Sequence, residues 1–519
     1  MSRLLALTLV FVALLASVAR PADPPADPKV EEAKGKLLAV LLDEGKPETR
    51  VQAVEGLAAL GSPAAAKALL EALESLAART TQVEARAARS RKDYEPYKGA
   101  AQANEKDWQM KQRLLAQMEK DDAILAGDGR VLDAFGAAIA SAKEKESVQV
   151  FDRAAQKTES PKVRGLLDAG LLRNPLADAK AVAKRAMADA DATVRLTALF
   201  AIGDRKDAQL TDFVVKALTD TGWAIRQAAV RSLASLGDVK AVGPLVSAMA
   251  AEEGTLLEDY AAALAKLTGA ALGPNPESWK RWYDDHKAEL GGKSAPPSTA
   301  KLGKNPLLPP VDYYGVQTRS LRLLFLIDCS GSMNEVIGQA GVTTGDQFQG
   351  PKIEIAKKML KAAISQLHPS TMFDVITFNT DARQFNEKLV QATPETKHAM
   401  NERVSELVGR GGTYTYGALK LAFGITGEAV TPSAPPVDTI FLLSDGAPTE
   451  ATFEDGEEAK PMEPEKILAA VKAWNPFRTV HIHTIAIDPR IEKNGGNFVR
   501  MMKALAEENG GTYTAIGAK

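Results

Sequence analysis

Cysteine is almost absent from this chain of 519 residues: Cys329 stands alone, which excludes an internal disulfide framework and any Cys-built zinc site. Histidine is nearly as scarce, with five in all, so an imidazole base with a defined partner or a His-ligated metal has little to be built from. Neither sign of charge prevails, since 64 Lys and Arg face 66 Asp and Glu for a formal net charge of −2. That balance gives no electrostatic footing for a nucleic-acid or anionic-membrane partner. No Gly-x-Ser-x-Gly elbow, His-Glu-x-x-His pair or P-loop occurs, and the chain therefore reads as a binder, not an enzyme. Past the first residues, no apolar run approaches the roughly 20 residues that cross a bilayer.

What is present begins with a short apolar start. Arg3 is followed by an apolar run from Leu4 to Val18, and Ser17-Val18-Ala19 offers small residues for cleavage. Residues 1–19 are expected to be an export signal and residues 20–29 a Pro-rich leader, whose Pro21, Pro24 and Pro25 would break any helix. The expectation is an exported protein, periplasmic or secreted, with no stable membrane insertion after cleavage.

Residues 30–290 read as helices, rich in Ala and Leu at helical spacing. The segment Arg226 to Gly237 lines up with Arg50 to Gly61, each with Arg first, Leu at +7 and +10, and a stopping Gly at +11. Val163-Arg164 and Val194-Arg195 share the opening, and Arg164, Arg195 and Arg226 fall 31 residues apart, one helix pair plus its turns. These segments resemble HEAT or armadillo-type repeats, stacked hairpins that share one continuous core. A charged stretch near 79–120 interrupts them and is read as a long helical insertion. The aromatic segment Trp279 to Tyr283 suits a cap over the last open hairpin.

Residues 291–313, with Gly-Gly and Pro-Pro, read as a linker that leaves the orientation of its flanking domains open. In residues 314–519 short apolar runs alternate with amphipathic stretches, the pattern of a doubly wound, Rossmann-like α/β domain. Leu321–Ile327, Met372–Phe378, Thr439–Leu443 and Val480–Ile487 are its expected central strands.

The first of these strands runs into Asp328-Cys329-Ser330-Gly331-Ser332, which gathers short oxygen-bearing side chains at its carboxyl end. Ligands bind at that edge in open α/β sheets, and such oxygens suit a hard cation. Asp-x-Ser-x-Ser in this place resembles the opening of the metal-ion-dependent adhesion site of von Willebrand factor A domains. Thr413, after Gly411-Gly412, and Asp445, in Leu442-Leu443-Ser444-Asp445-Gly446, match the two later pieces of that motif. The resemblance implies that Asp328, Ser330, Ser332, Thr413 and Asp445 hold one divalent cation, Mg²⁺ in the first place, with Mn²⁺ and Ca²⁺ as alternatives. It also implies an open coordination position for the Asp or Glu of a protein partner. The whole resembles exported bacterial proteins that join HEAT-like repeats to an A-type domain. Two other readings stand beside adhesion: a scaffold in which the metal only stabilises the fold, and a metal-dependent hydrolase. His481 and His483 share a strand face, where packing or an internal hydrogen bond outweighs metal binding. The loop Asn334–Pro351, with Asp346, and the acidic run Glu454–Glu458 could frame the same edge.

Overall fold

The computed structural model describes residues 27–97, 104–290, 307–337, 349–426, 437–450, 460–487 and 496–516. The expected export signal, Asp346 and the acidic run Glu454–Glu458 lie outside these residues.

The first half is a succession of helices. They are α1 (Pro28–Val40), α2 (Pro47–Ala58), α3 (Pro63–Tyr94), α4 (Glu105–Ala140), α5 (Lys145–Lys157), α6 (Pro161–Arg173) and α7 (Ala179–Met187). There follow α8 (Ala192–Arg205), α9 (Thr211–Ala217), α10 (Trp223–Leu236), α11 (Val242–Met249), α12 (Thr255–Thr268) and α13 (Pro276–His286). Every second helix stacks on the one before it, α4 on α6, α6 on α8, α8 on α10 and α10 on α12. Helix α1 starts inside the stretch read as leader, because Asp27 accepts from the Lys29 amide and Pro28 fills the first turn. Further along, Ser160, Asp178, Asp191 and Asn275 cap helices in the same way. Gly237 ends α10 in the left-handed region at φ +69°, where a side chain would be strained. Of residues 79–120, the described ones belong to α3, to a 3-10 turn over Glu95–Tyr97 and to α4 with its Asn104 cap, and the two helices pack on each other.

The arginines spaced by 31 residues form a ladder. The guanidinium of Arg164 bonds the carbonyls of Thr158 and Glu159 and pairs with Asp189 at 2.6 Å. Arg195 repeats this with the carbonyls of Asp189 and Ala190 and with Asp220 at 3.0 Å. Arg226 does so with the carbonyls of Asp220 and Thr221 and with Glu252 at 2.6 Å. Each arginine thus ties the turn behind it to the turn of the next hairpin. Arg50 departs from the pattern. Its partner is Asp128 on α4, at 2.6 Å, and both side chains are fully buried. At the far end Trp279 is buried, with its indole N–H on the Gly273 carbonyl at 2.7 Å, and closes the helical core.

The second half is a sheet with helices on both faces. Its strands are β1 (Val311–Tyr313), β2 (Val316–Thr318), β3 (Arg322–Asp328), β4 (Val336–Ile337), β5 (Gly350–Pro351), β6 (Met372–Phe378), β7 (Ala382–Gln384), β8 (Val390–Gln391), β9 (Thr439–Ser444), β10 (His481–Ile487) and β11 (Tyr513–Ile516). Its helices are α14 (Lys352–Gln366), α15 (Pro394–Ser405), α16 (Thr415–Thr426), α17 (Pro464–Trp474) and α18 (Asn497–Glu508). The main sheet runs β11-β10-β9-β3-β6-β7, parallel from β11 to β6, with β7 and β8 antiparallel to β6. β3 lies in its middle and alternates its side chains between two cores. Leu323, Phe325 and Ile327 join α14 and α15, whereas Leu324 and Leu326 join α16, α17 and α18. The stretch read as linker ends too late: residues 311–313 are strand β1, and buried Tyr313 packs its ring 5.2 Å from both Phe325 and Phe441. Apolar area under the sheet claims those residues for the second domain.

The two halves touch through charged and aromatic groups. Arg231 on α10 donates to the Arg478 carbonyl at 2.6 Å, lies 2.6 Å from His481 Nε2 and pairs with Asp259 at 3.2 Å. Phe200 stacks on Phe477 at 5.8 Å, and Lys420 on α16 pairs with Asp122 on α4 at 3.0 Å. Beside them Glu258 accepts from the Arg319 amide at 2.7 Å. Burial pushes the Glu258 carboxyl up to about 7, against the pull of that bond and of His481 and Arg319. An acid raised in the folded state binds its proton more tightly there than when unfolded. Stability therefore falls as pH rises from the ordinary carboxylate range to about 7, and stays lowered above it. Glu258→Gln keeps the acceptor and removes the charge. Thermal melts should show the variant more stable than wild type by about 1 kcal/mol at pH 8 and equal to it near pH 4.

Candidate metal centre

Strand β3 delivers Asp328 to the carboxyl edge of the sheet with its carboxylate buried. One oxygen accepts from the Ser330 amide at 2.8 Å, the other from the Ser444 hydroxyl at 2.6 Å. Burial first, and then the nearby charge of Asp445, push its carboxyl up to about 7, against the bonds from Ser444 and Ser330. The chain turns at Ser330 into a single 3-10 turn, Gly331–Asn334, which sets Ser332 beside Ser330 with their hydroxyl oxygens 3.1 Å apart. Ser332 donates to one oxygen of Asp445, just past the end of β9, at 2.8 Å. Four of the five sequence-assigned residues thus share one connected set of oxygens.

The fifth, Thr413, is buried and reaches this edge on the loop before α16. That loop is docked by its backbone: the Gly331 amide donates to the Gly411 carbonyl at 3.0 Å, and the Arg410 amide to the Cys329 carbonyl at 2.8 Å. Gly411 sits at φ +72°, and a Cβ there would lie 2.6 Å from the Thr380 side chain, so only glycine fits. Thr413 itself donates its amide to Thr449 Oγ1 at 2.8 Å, and its carbonyl accepts from the Thr449 amide at 2.9 Å.

This donor set fits a hard cation. Around a Mg²⁺ ion with six oxygens at about 2.1 Å, neighbouring oxygens are about 3 Å apart. The Ser330–Ser332 and Ser332–Asp445 separations, 3.1 and 2.8 Å, are hydrogen bonds here, and oxygens so spaced are also compatible with such an edge. These candidate donors are hydroxyls as much as carboxylates, and among the described residues no group of three His, Cys, Asp or Glu side chains could hold a metal ion.

Three participants carried no motif signal. Ser444 holds Asp328, Thr449 holds Thr413, and the buried Lys352 at the start of α14 places its ammonium 2.8 Å from the second oxygen of Asp445 and 2.9 Å from Glu335. A lysine directly after Pro351 is unremarkable in sequence; only the fold turns it inward. Cys329 points away from the edge into the core shared with α14, and burial raises its thiol to about 12. His483 accepts from the Thr512 amide at 3.0 Å, and burial lowers its ring to about 3. Neither histidine is near the site's oxygens: His481 is engaged with Arg231 and Asp259.

The Ser444 contact is the most exposed to test. Ser444→Ala leaves a buried carboxylate oxygen of Asp328 without its donor. Urea unfolding at pH 8 should show a loss of about 1.5–3 kcal/mol, the range for a hydrogen bond to a charged group.

Comparison with known proteins finds the two kinds of domain in the same order. Residues 342–515 match the von Willebrand factor type A domain, residues 179–265 the HEAT repeats, and residues 49–75 the PBS lyase HEAT-like repeat. The first match begins after Ser332, so the Asp328–Ser332 segment is joined to the domain by its place on central β3. Inter alpha-trypsin inhibitor, heavy chain 4 of Mus musculus is 31% identical over 135 residues, 25% of this chain and 13% of that protein. Inter-alpha-trypsin inhibitor heavy chain H4 of Homo sapiens is 28% identical over 138 residues, 26% and 13% of the two chains. This chain thus spans about an eighth of the curated relatives it matches. Among solved structures, the von Willebrand factor type A protein from Catenulispora acidiphila is 22% identical at a TM-score of 0.28, covering 38% of this chain and 39% of that one. Proximal thread matrix protein 1 from the mussel byssus, described with a zinc-occupied MIDAS motif, is 17% identical at a TM-score of 0.25, covering 38% and 41%. The chain carries HEAT repeats followed by a von Willebrand factor type A domain.

Proposed function

We propose that this protein binds a protein partner through a divalent cation held by Asp328, Ser330, Ser332, Thr413 and Asp445. The observation that carries the reading is the connected set of hydroxyl and carboxylate oxygens that three separate segments bring to the carboxyl edge of the sheet. Their chemistry favours Mg²⁺, or Mn²⁺ and Ca²⁺, over a softer ion. Bound there, the cation would supply a partly neutralised positive charge that attracts one more carboxylate, such as a partner's Asp or Glu.

The chain's own residues prepare that contact. Asp328 is kept from turning outward by Ser330 and Ser444, and the 3-10 turn keeps both serine hydroxyls on the same side. Among the described residues, Gly331, Asn334, Gly411 and Ala447 are exposed around the donors, and Ser332 itself is only half-buried, which favours approach by a side chain from another molecule. The helical repeats present a second surface on the same chain, joined to the first through Arg231 and Lys420.

Calorimetric titration of metal-stripped protein with Mg²⁺, Mn²⁺ and Ca²⁺ tests the reading. One saturable site is expected, lost in Asp328→Ala and in the double variant Ser330→Ala/Ser332→Ala, with melting curves in chelator showing all three chains folded. Binding of all three ions that survives in both variants, or no binding at all by wild type, would overturn it.

A further inference from the structure

Of the three residues at the site that the motif does not explain, Lys352 is the one that carries a charge. Only 1% of its side chain is exposed. A lysine this deep is costly to desolvate, and it opens helix α14, where the aligned peptide dipoles disfavour a cation. Placement meets both penalties: among the described residues, the ammonium lies between Asp445 at 2.8 Å and Glu335 at 2.9 Å. The backbone repeats the tie, since the Lys352 amide donates to the Glu335 carbonyl at 3.0 Å. Glu335 directly follows the 3-10 turn that carries Ser332, so one residue grips both the turn and the last carboxylate of the donor set. The division of Asp445 is sharp: one oxygen takes the Ser332 hydroxyl, the other takes Lys352.

Charge counting gives this contact a meaning. The five donors carry two negative charges, on Asp328 and Asp445, which a dication alone would neutralise. Lys352 adds a fixed positive charge on the same carboxylate, while Glu335, with 49% of its side chain exposed, stands at the rim where solvent weakens its influence. A dication in this site would share Asp445 with the Lys352 ammonium and so would be less fully neutralised by that carboxylate.

We infer that Lys352 is a tethered cation that sets the charge of the metal centre, weakening its hold on the dication while strengthening the attraction of the bound dication for a carboxylate. This rests on the metal-binding reading above and adds to it which residue decides between holding the metal and holding the partner. Lys352 is a positioning residue that acts through Asp445; a purely structural lysine would change stability and leave this balance alone.

The test uses the full chain, metal-stripped, with Mn²⁺ as the cation and acetate as the carboxylate. Calorimetry gives the Mn²⁺ affinity of wild type, Lys352→Met, Lys352→Gln and Lys352→Arg. Water-proton relaxation of bound Mn²⁺ gives the acetate concentration that displaces its water. Both neutral variants should bind Mn²⁺ roughly tenfold tighter than wild type and need several-fold more acetate, whereas Lys352→Arg should stay near wild type in both. Lys352→Gln keeps a donor to Asp445 and carries the test should Lys352→Met fail to fold. If wild type binds Mn²⁺ and the folded neutral variants bind it no tighter, the role of Lys352 is overturned and the metal site stands. Mn²⁺ binding by neither wild type nor the neutral variants would overturn both, and binding by the neutral variants alone would overturn the tuning role, since wild type would hold no dication for Lys352 to act on.

Discussion

A carboxylate sealed beneath the end of the central strand governs the site. Asp328 has no exposed surface, so its charge has to be answered from inside the domain. The answer comes from a main-chain amide two residues on, from a serine on the neighbouring strand β9, and from whatever positive charge the edge can gather. Asp445 aggravates the problem by standing close by with a second negative charge, and Lys352 relieves it from the other side. The order β9-β3-β6 matters for this reason: only a strand flanked on both sides can bury its terminal acid and still have a neighbour supply the donor. The serine turn, the threonine loop and the lysine are consequences of holding two acids in one confined place.

Much of this was legible from residue order, and the limits of legibility have physical reasons. The central strands are apolar runs with both faces covered, and β6 falls on Met372–Phe378 as read. The edge strands β7, β8 and β11 escape such reading because they are short and half-exposed, with no apolar run to mark them. Hairpin β1–β2 was missed because its core residues, Val311, Tyr313 and Val316, sit behind a Pro-rich linker that masks them. At the site, the five motif positions converge, while Ser444 and Lys352 are visible only once β9 and α14 are placed. Arg50 illustrates the opposite error: it aligns with Arg226 residue for residue, yet it takes a buried acid from α4 and not the acid of the next turn.

The contact between the halves belongs to neither domain's pattern. Arg231 and His481 are separated by 250 residues, and nothing in either segment marks the other. The two histidines of β10 were expected to serve the fold, and their partners divide that duty: His483 secures the turn before β11, and His481 faces the helical repeats. Chain economy follows, since a strand facing the solenoid can afford imidazoles where an ordinary sheet strand would carry aliphatic side chains.

The arginine ladder has a consequence for how the helical half comes apart. Each rung fastens one hairpin to its successor and reaches no further, so free energy is shared between nearest neighbours, as in a one-dimensional array of coupled spins. Disorder started at one end would advance rung by rung, halted wherever a rung holds, and the array could fray without melting as a whole. The last rung, on Arg226, lies five residues before Arg231, which is anchored to the second domain. That end of the array is pinned, and the Lys420–Asp122 pair holds α4 to the second domain as well, so fraying is confined to the hairpins that neither contact reaches.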